Sequence, residues 1–293
     1  MKEIKYTTRY KDMSIAINMS LPFVIQECEG LRGVEADVKL FHSINQQGAT
    51  IQNSTIKERD VTIRGAIVFE TARERDALRK RVYDTFHPGY PGTLEITTKA
   101  GNKYEIENVH IVDAPTFVED LNRPNIDHFS LNLVCPNPFI LSPEKKLSLQ
   151  NKVGNFKFDW EILEGGVSLA DIDSRAIQNA VNNGAVDTPI KIVIRSKGYM
   201  ENPYIMNATT REMIRIKREI HPGQNIEITT HYGNKRVSFI DEEGNRENIF
   251  PLIDLDSVFF NLVPGDNLIT YGADNTVENM VVDLYYRERH LGI

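Results

Sequence analysis

The carboxyl-terminal half of the chain alternates. Ile190, Ile192 and Ile194 are interleaved with Lys191, Val193 and Arg195, and Ile226 and Ile228 flank Glu227, the period-two pattern of strands with one buried face. Residues that reverse the backbone bound these runs: Lys197-Gly198, Asn202-Pro203, His221-Pro222-Gly223, Tyr232-Gly233-Asn234 and Pro264-Gly265-Asp266-Asn267. A single short apolar run is also compatible with a buried helix, but turns at this regularity predict hairpins stacked in a β-sandwich. Phe156, Phe158 and Trp160 alternate as well and predict one more strand of the same domain.

The amino-terminal half predicts strands near residues 39–44 and 60–69. In the second, Val61, Ile63, Ile67 and Phe69 share a face, and Gly65 interrupts it; we read a bend there, because glycine inside a strand marks a bulge or a close backbone approach. The polar stretch between them, with its Gly48-Ala49 step, reads as a long loop or an extended arm over residues 46–57. One helix is predicted over about residues 71–87. Thr71 and Glu74 have the spacing of a capping box, and Leu78, Val82 and Phe86, with Tyr83 alongside, form an apolar stripe opposite Arg75, Arg79 and Lys80. The basic cluster, which also includes Arg73 and Arg81, suits a solvated face ion-paired locally to Glu74 and Asp76, or contact with an acidic partner.

His87-Pro88-Gly89 stops the helix, and a hairpin turning through Ala100-Gly101-Asn102 follows. Strand patterns at 109–112 and 129–134 enclose a segment with Pro115 and Pro124 that reads as a loop with an edge strand. Two prolines within Cys135-Pro136-Asn137-Pro138-Phe139 cannot pair in a central strand, so we place a domain junction there, running through Ser142-Pro143. The expected domains are residues 1–140, a β-barrel or sandwich with the helix, and residues 141–293, a β-sandwich. The fold class is mainly β.

Composition does not disturb this picture. The 293 residues are 41% hydrophobic and 26% charged, ordinary for a two-domain globular chain. No window approaches the ~18 uncharged apolar residues of a membrane span, and the first residues lack a signal-peptide core, so the chain is expected to stay at first in the cytosol without a membrane. Cys28 and Cys135 come without ligand or redox spacing and are expected to be small core residues. The net charge of −7 is shared unevenly, with 17 Lys and Arg against 19 Asp and Glu up to residue 140 and 17 against 22 beyond. Such a chain lacks the basic run that neutralises phosphates, so nucleic acid is not expected to bind.

Candidate chemistry is sparse. No nucleophile elbow, phosphate-cradling glycine loop, His-Glu-x-x-His or dinucleotide fingerprint is present, and no two of the seven histidines stand at i, i+4. Asp171-Ile172-Asp173-Ser174 and Asp254-Leu255-Asp256-Ser257 look alike, but each lacks the glycine and closing glutamate of a calcium loop and reads as exposed turn carboxylates. We therefore nominate no catalytic, cofactor-binding or metal-binding residue and expect no enzyme. The rival from another class is a carbohydrate-binding host-adhesion module, since a β-sandwich can offer an aromatic platform to a sugar. Galectins stack sugar on a tryptophan set among His, Asn, Arg and Glu; Trp160, the single tryptophan, has no such neighbours in sequence and reads as a core aromatic.

In its order of elements the chain resembles the siphophage distal tail proteins. The first half matches through the strand with Arg64-Gly65, the helix, the Pro88-Gly89 loop, the hairpin and Cys135-Pro136-Asn137-Pro138-Phe139. The second matches at Asn183-Gly184, Thr188-Pro189, Asn202-Pro203, Asn207 with Thr209-Thr210, Pro222-Gly223, and Leu262 through Asn267. It departs at Arg211, where relatives often carry glycine, and at Thr229-Thr230 after Ile228, where an Asp often stands.

The resemblance implies a structural hub of a phage or prophage-derived tail tip. Its amino-terminal domain would form a homo-hexameric ring continuing the tube of major tail protein, and its galectin-like carboxyl-terminal domain would contact the tail-associated tip protein and receptor-binding proteins. DNA would pass the channel without specific binding, and the protein would lie at the distal tip of the virion tail after assembly in the bacterial cytoplasm. The same resemblance extends to hubs of contractile tails and bacteriocin-like particles.

Overall fold

A computed structural model describes residues 1–10, 12–149, 151–154, 170–173, 177–275 and 277–293, with the backbone alone at 151–154 and 170–173. The strand expected around Phe156, Phe158 and Trp160 lies outside the described residues. The chain divides into two units, Met1–Pro143 with Arg289–Ile293, and Glu144–Glu288.

The first unit begins with β1 (Glu3–Thr8), β2 (Ser14–Asn18) and β3 (Phe23–Glu29), then β4 (Ala36–Phe41), β5 (Thr50–Ile56) and β6 (Arg59–Val68). Helix α1 (Ala72–Thr85) follows, then β7 (Gly92–Thr97), β8 (Lys103–Ile111), β9 (Thr116–Glu119), β10 (Ile126–Cys135) and the short β11 (Ile140–Leu141). Seven of these strands run β8-β7-β1-β2-β3-β6-β10, and β10 returns to β8 through Leu133↔Ile111 and Val134↔His110, closing a barrel. Closure removes the free edges that an open sheet would expose.

Alternation builds the barrel interior: Ile4 and Tyr6 of β1, Ile15 and Ile17 of β2, and Ile63 and Ile67 of β6 are all buried. Val61 and Phe69 complete the predicted face. Gly65 does not bend its strand: pairing with β10 runs unbroken through Phe129↔Gly65, and the bulge lies opposite, on β3, between Ile25 and Glu27. The glycine is needed for space, since a Cβ there would lie 2.5 Å from the Phe129 ring.

Thr71 caps α1, its Oγ1 accepting from the Glu74 amide at 3.2 Å while the Glu74 carboxylate accepts from the Glu70 amide at 2.8 Å. The helix buries Val82 and Phe86, and Phe86 stacks on Tyr6 with centroids 4.8 Å apart. Cys135 is a fully buried core residue, whereas Cys28 is partly exposed.

The second unit opens with β12 (Lys145–Ser148), β13 (Asn151–Gly154), β14 (Ala170–Asp173) and β15 (Gln178–Asn182). It continues with β16 (Ile190–Ser196), β17 (Met200–Glu201), β18 (Tyr204–Asn207), β19 (Glu212–Arg215) and β20 (Glu219–Ile220). Its last strands are β21 (Asn225–Thr229), β22 (Arg236–Ile240), β23 (Arg246–Asn248), β24 (Gly265–Gly272) and β25 (Met280–Tyr286). A six-stranded sheet ordered β12-β25-β16-β21-β22-β23 and a four-stranded sheet ordered β15-β24-β18-β19 share one core, to which Ile192 and Ile228 contribute from the first and Ile205, Ile214 and Ile269 from the second. Asn267, fully buried, donates to the carbonyls of Ala180 and Val263 and accepts from the Val263 amide and the Asn207 side chain. Arg211, where relatives carry glycine, takes φ +63°, the left-handed conformation that glycine adopts without strain.

The domain break falls at 143/144, beyond the expected 140/141, and the last residues do not stay in the second domain. The final strand, β26 (Arg289–His290), pairs with β11 in the first unit. Arg289 lies over the Phe139 ring at 5.0 Å, His290 meets Tyr104 edge-on, and the Ile293 amide donates to Leu31.

Candidate assembly surfaces

The segment expected as a loop or arm, 46–57, is part of the turn and the second strand of a two-stranded ribbon, whose first strand overlaps the strand expected at 39–44. Strands β4 and β5 pair only with each other, and every residue of both is exposed. At the base, Lys57 donates its amide to the Glu35 carbonyl at 2.9 Å. At the tip, Gln46 accepts from the Ser43 amide and donates to Thr50, both at 3.0 Å. Leu40, Phe41 and Ile51 are more than half exposed on this ribbon, and Ile44 at its turn is 94% exposed. Apolar side chains grouped on a protruding element mark an interaction site, because their burial is the main favourable term in association.

The basic helix is only in part a locally paired solvated face: Arg73, Lys80 and Arg81 are exposed and Lys80 pairs with Asp84 at 2.8 Å, one turn on, in place of the expected Glu74 and Asp76. Arg75 and Arg79 turn from α1 to Asp127 of β10, which is 1% exposed and accepts from Arg75 Nε at 2.7 Å and Arg79 Nε at 2.8 Å. Glu119 of β9 adds a further partner to both. Hydrogen bonds donated to Asp127 and then to Glu119 raise the pKa of the Arg75 guanidinium above its ordinary value. Arg75 and Arg79 thus tie the helix to the barrel wall; for these two the local expectation failed because Asp127 is 52 residues from Arg75.

Arg59 escaped the sequence reading altogether. It is 2% exposed and meets no carboxylate among the described residues; its guanidinium donates to the carbonyls of Gly30, Gly33, Pro138 and Leu291. Burial pushes its pKa down. Backbone acceptors leave no residue-type signal, so nothing in the sequence distinguishes this arginine from a surface one.

In the second unit, a shallow cleft of about 590 Å³ is lined by Asn202, Lys217, Arg218, His221 and Phe239. The Arg218 guanidinium sits 3.8 Å from the Phe239 ring centroid, over the ring face a pyranose would stack on. Trp160 lies outside the described residues. Asp254 is a turn carboxylate, accepting from the Asp256 amide at 3.3 Å and pairing with Lys217 at 3.1 Å; Asp171 and Asp173 lie in β14, where only the backbone is described. Among the described residues no three His, Cys, Asp or Glu side chains group as metal ligands.

Residues 12–135 match the family described as phage tail protein RIFT-related domain, and residues 183–290 match siphovirus-type tail component, C-terminal domain. The chain belongs to the siphophage distal tail protein family. Among solved structures, the Dit protein of phage SPP1, described as a paradigm of hub adsorption apparatus in Gram-positive infecting phages, is similar at 13% identity and a TM-score of 0.67, over 97% of this chain and 98% of that one. A chain of the phage P2 baseplate in its activated conformation with Ca is similar at 10% identity and a TM-score of 0.52, over 100% of both. No curated protein matches. As a member of this distal tail family, the chain is a mainly β component of the phage tail, with a barrel followed by a galectin-like sandwich.

Proposed function

We propose that this distal tail protein is the hub of the tail tip. Six copies close into a ring that continues the tube of major tail protein, and the second unit contacts tail-tip and receptor-binding proteins. The observation that carries this reading is the ribbon β4–β5, an apolar projection from an otherwise closed barrel. A ring requires two different complementary faces on each subunit, and an arm that reaches its neighbour supplies one of them. The protein acts by assembly and not by catalysis. It is put together in the bacterial cytoplasm, and DNA passes the ring without a specific site, in keeping with the slightly acidic first half. The Arg218–Phe239 contact argues against the cleft as a sugar-stacking platform.

Electron-microscope class averages of the purified chain at several concentrations test the reading. Sixfold rings with a central hole are expected. Monomers at every concentration, with tube protein also present, would sink it.

A further inference from the structure

The outer face of the six-stranded sheet reverses the sign of its acidic half. Its row Asp283, Val193, Glu227 runs across β25, β16 and β21. One flanking row carries Lys146, Lys191 and Arg236, and the other carries Arg195 and Arg246. The two carboxylates are nearly buried, with side chains 1% and 8% exposed, while the five cations are 40–55% exposed. Asp283 receives Lys146 at 2.9 Å and Arg195; Glu227 receives Lys191 at 3.0 Å and Arg246 at 3.2 Å.

Two cations would neutralise two carboxylates, so the face carries three more positive charges than its own structure requires. Pairing with the buried acids also holds Lys146, Lys191, Arg195 and Arg246 in place, with Arg236 3.9 Å from Glu227, which lowers the ordering cost of a partner. Lys146, Lys191 and Arg236 stand on every second strand, a spacing of about 10 Å from the strand separation. The aromatic ring among these strand positions, Tyr285, has the Lys146 ammonium 5.5 Å from its centroid, leaving it poorly placed to stack on a base or sugar.

We propose that this face docks an acidic protein surface, and that the partner is a neighbouring tail component. The first part stands on the face alone; the second rests on the hub reading. The test uses the full chain and fluorescently labelled poly-L-glutamate. Binding is expected at low salt, weakening about tenfold between roughly 50 and 200 mM salt as the charges are screened. Replacing Lys191, Arg236 and Arg246 together by Gln should weaken it by about tenfold, while the same change at exposed Lys80, Lys99 and Lys103 should not.

Equal binding by both triple variants overturns the proposal. So does tighter binding, at equal charge, of polyphosphate or duplex DNA. If the first variant does not fold, acetylation of the wild type decides: poly-L-glutamate must protect Lys146 and Lys191, and unchanged labelling of both overturns the site. Rings scored on the same samples separate the two claims, since lost binding with intact rings removes only the docking face and absent rings with intact binding remove only the hub.

Discussion

The first unit groups exposed apolar residues, Leu40, Phe41, Ile44 and Ile51, on a thin ribbon; the second groups exposed cations, Lys146, Lys191, Arg195, Arg236 and Arg246, on the flat of a sheet. Apolar burial grows with contact area and responds little to salt, whereas exposed charges are screened within about 8 Å at physiological ionic strength. If both proposals hold, one chain carries two kinds of joint, one suited to a permanent ring and one that solution conditions can tune. The internal charges differ in parallel. The barrel buries one carboxylate, Asp127, between two arginines to fasten a helix, and the sandwich sets two carboxylates beneath a layer of cations.

The sharpest way to break the comparison is to remove the ribbon. Because Glu35 and Lys57 are already hydrogen-bonded, residues 36–56 can be replaced by two glycines. We expect thermal stability to change by no more than about 1 kcal/mol, from loop closure. Rings should disappear completely from electron-microscope fields; if they persist, the apolar ribbon is not the joint. Next in size is Asp127→Ala, which leaves Arg75 and Arg79 without their buried partner and should cost about 2–4 kcal/mol in urea denaturation. Glu119→Gln, at a side chain 62% exposed, should cost less than about 1 kcal/mol. Equal losses would mean that burial of Asp127 contributes nothing special.

The smallest effect concerns acid and the second unit. Burial alone would raise the Glu227 and Asp283 carboxyls, but hydrogen bonds from Lys191 and Arg246, and from Lys146, Ser148 and Arg195, outweigh it and hold both below their ordinary values. Folded values below the unfolded ones mean that their stabilisation is complete above the ordinary carboxylate range, about pH 4 to 4.5, and is lost as pH falls through the lowered values. Urea midpoints of this unit should stay level from pH 7 to about pH 5 and fall below that. A decline already between pH 7 and 5 would contradict this origin.

Local patterns carried much of the fold. The alternation at Ile190, Ile192 and Ile194, the capping box at Thr71 and Glu74, and the turns at Gly223 and Gly233 each act within a few positions, and the structure has them where the pattern put them. Gly265-Asp266-Asn267, expected in a turn, instead open β24 and pair with Asn182, Val181 and Ala180 of β15, because a neighbouring strand decides their conformation. Gly65 was legible as a special position but not as a particular one, since the Phe129 ring that requires it is 64 residues away along β10. Barrel closure rests on two residue pairs between β8 and β10 and leaves no local period. The candidate surfaces divide the same way. The arm was visible as a polar interruption, although its pairing was not; the cationic sheet face needs register across six strands before its five cations become neighbours.

The clamp on Arg59 has a consequence in time. Three of its four acceptors, Gly30, Gly33 and Pro138, lie early in the chain, but the fourth, Leu291, is 232 residues downstream. At about 5–20 residues per second, translation takes roughly 10–45 s to bridge that interval. Throughout it a nascent chain holds an arginine whose shell of acceptors is incomplete and a strand β11 without its partner β26. The unit that begins first is thus completed only after all of the second unit has been translated.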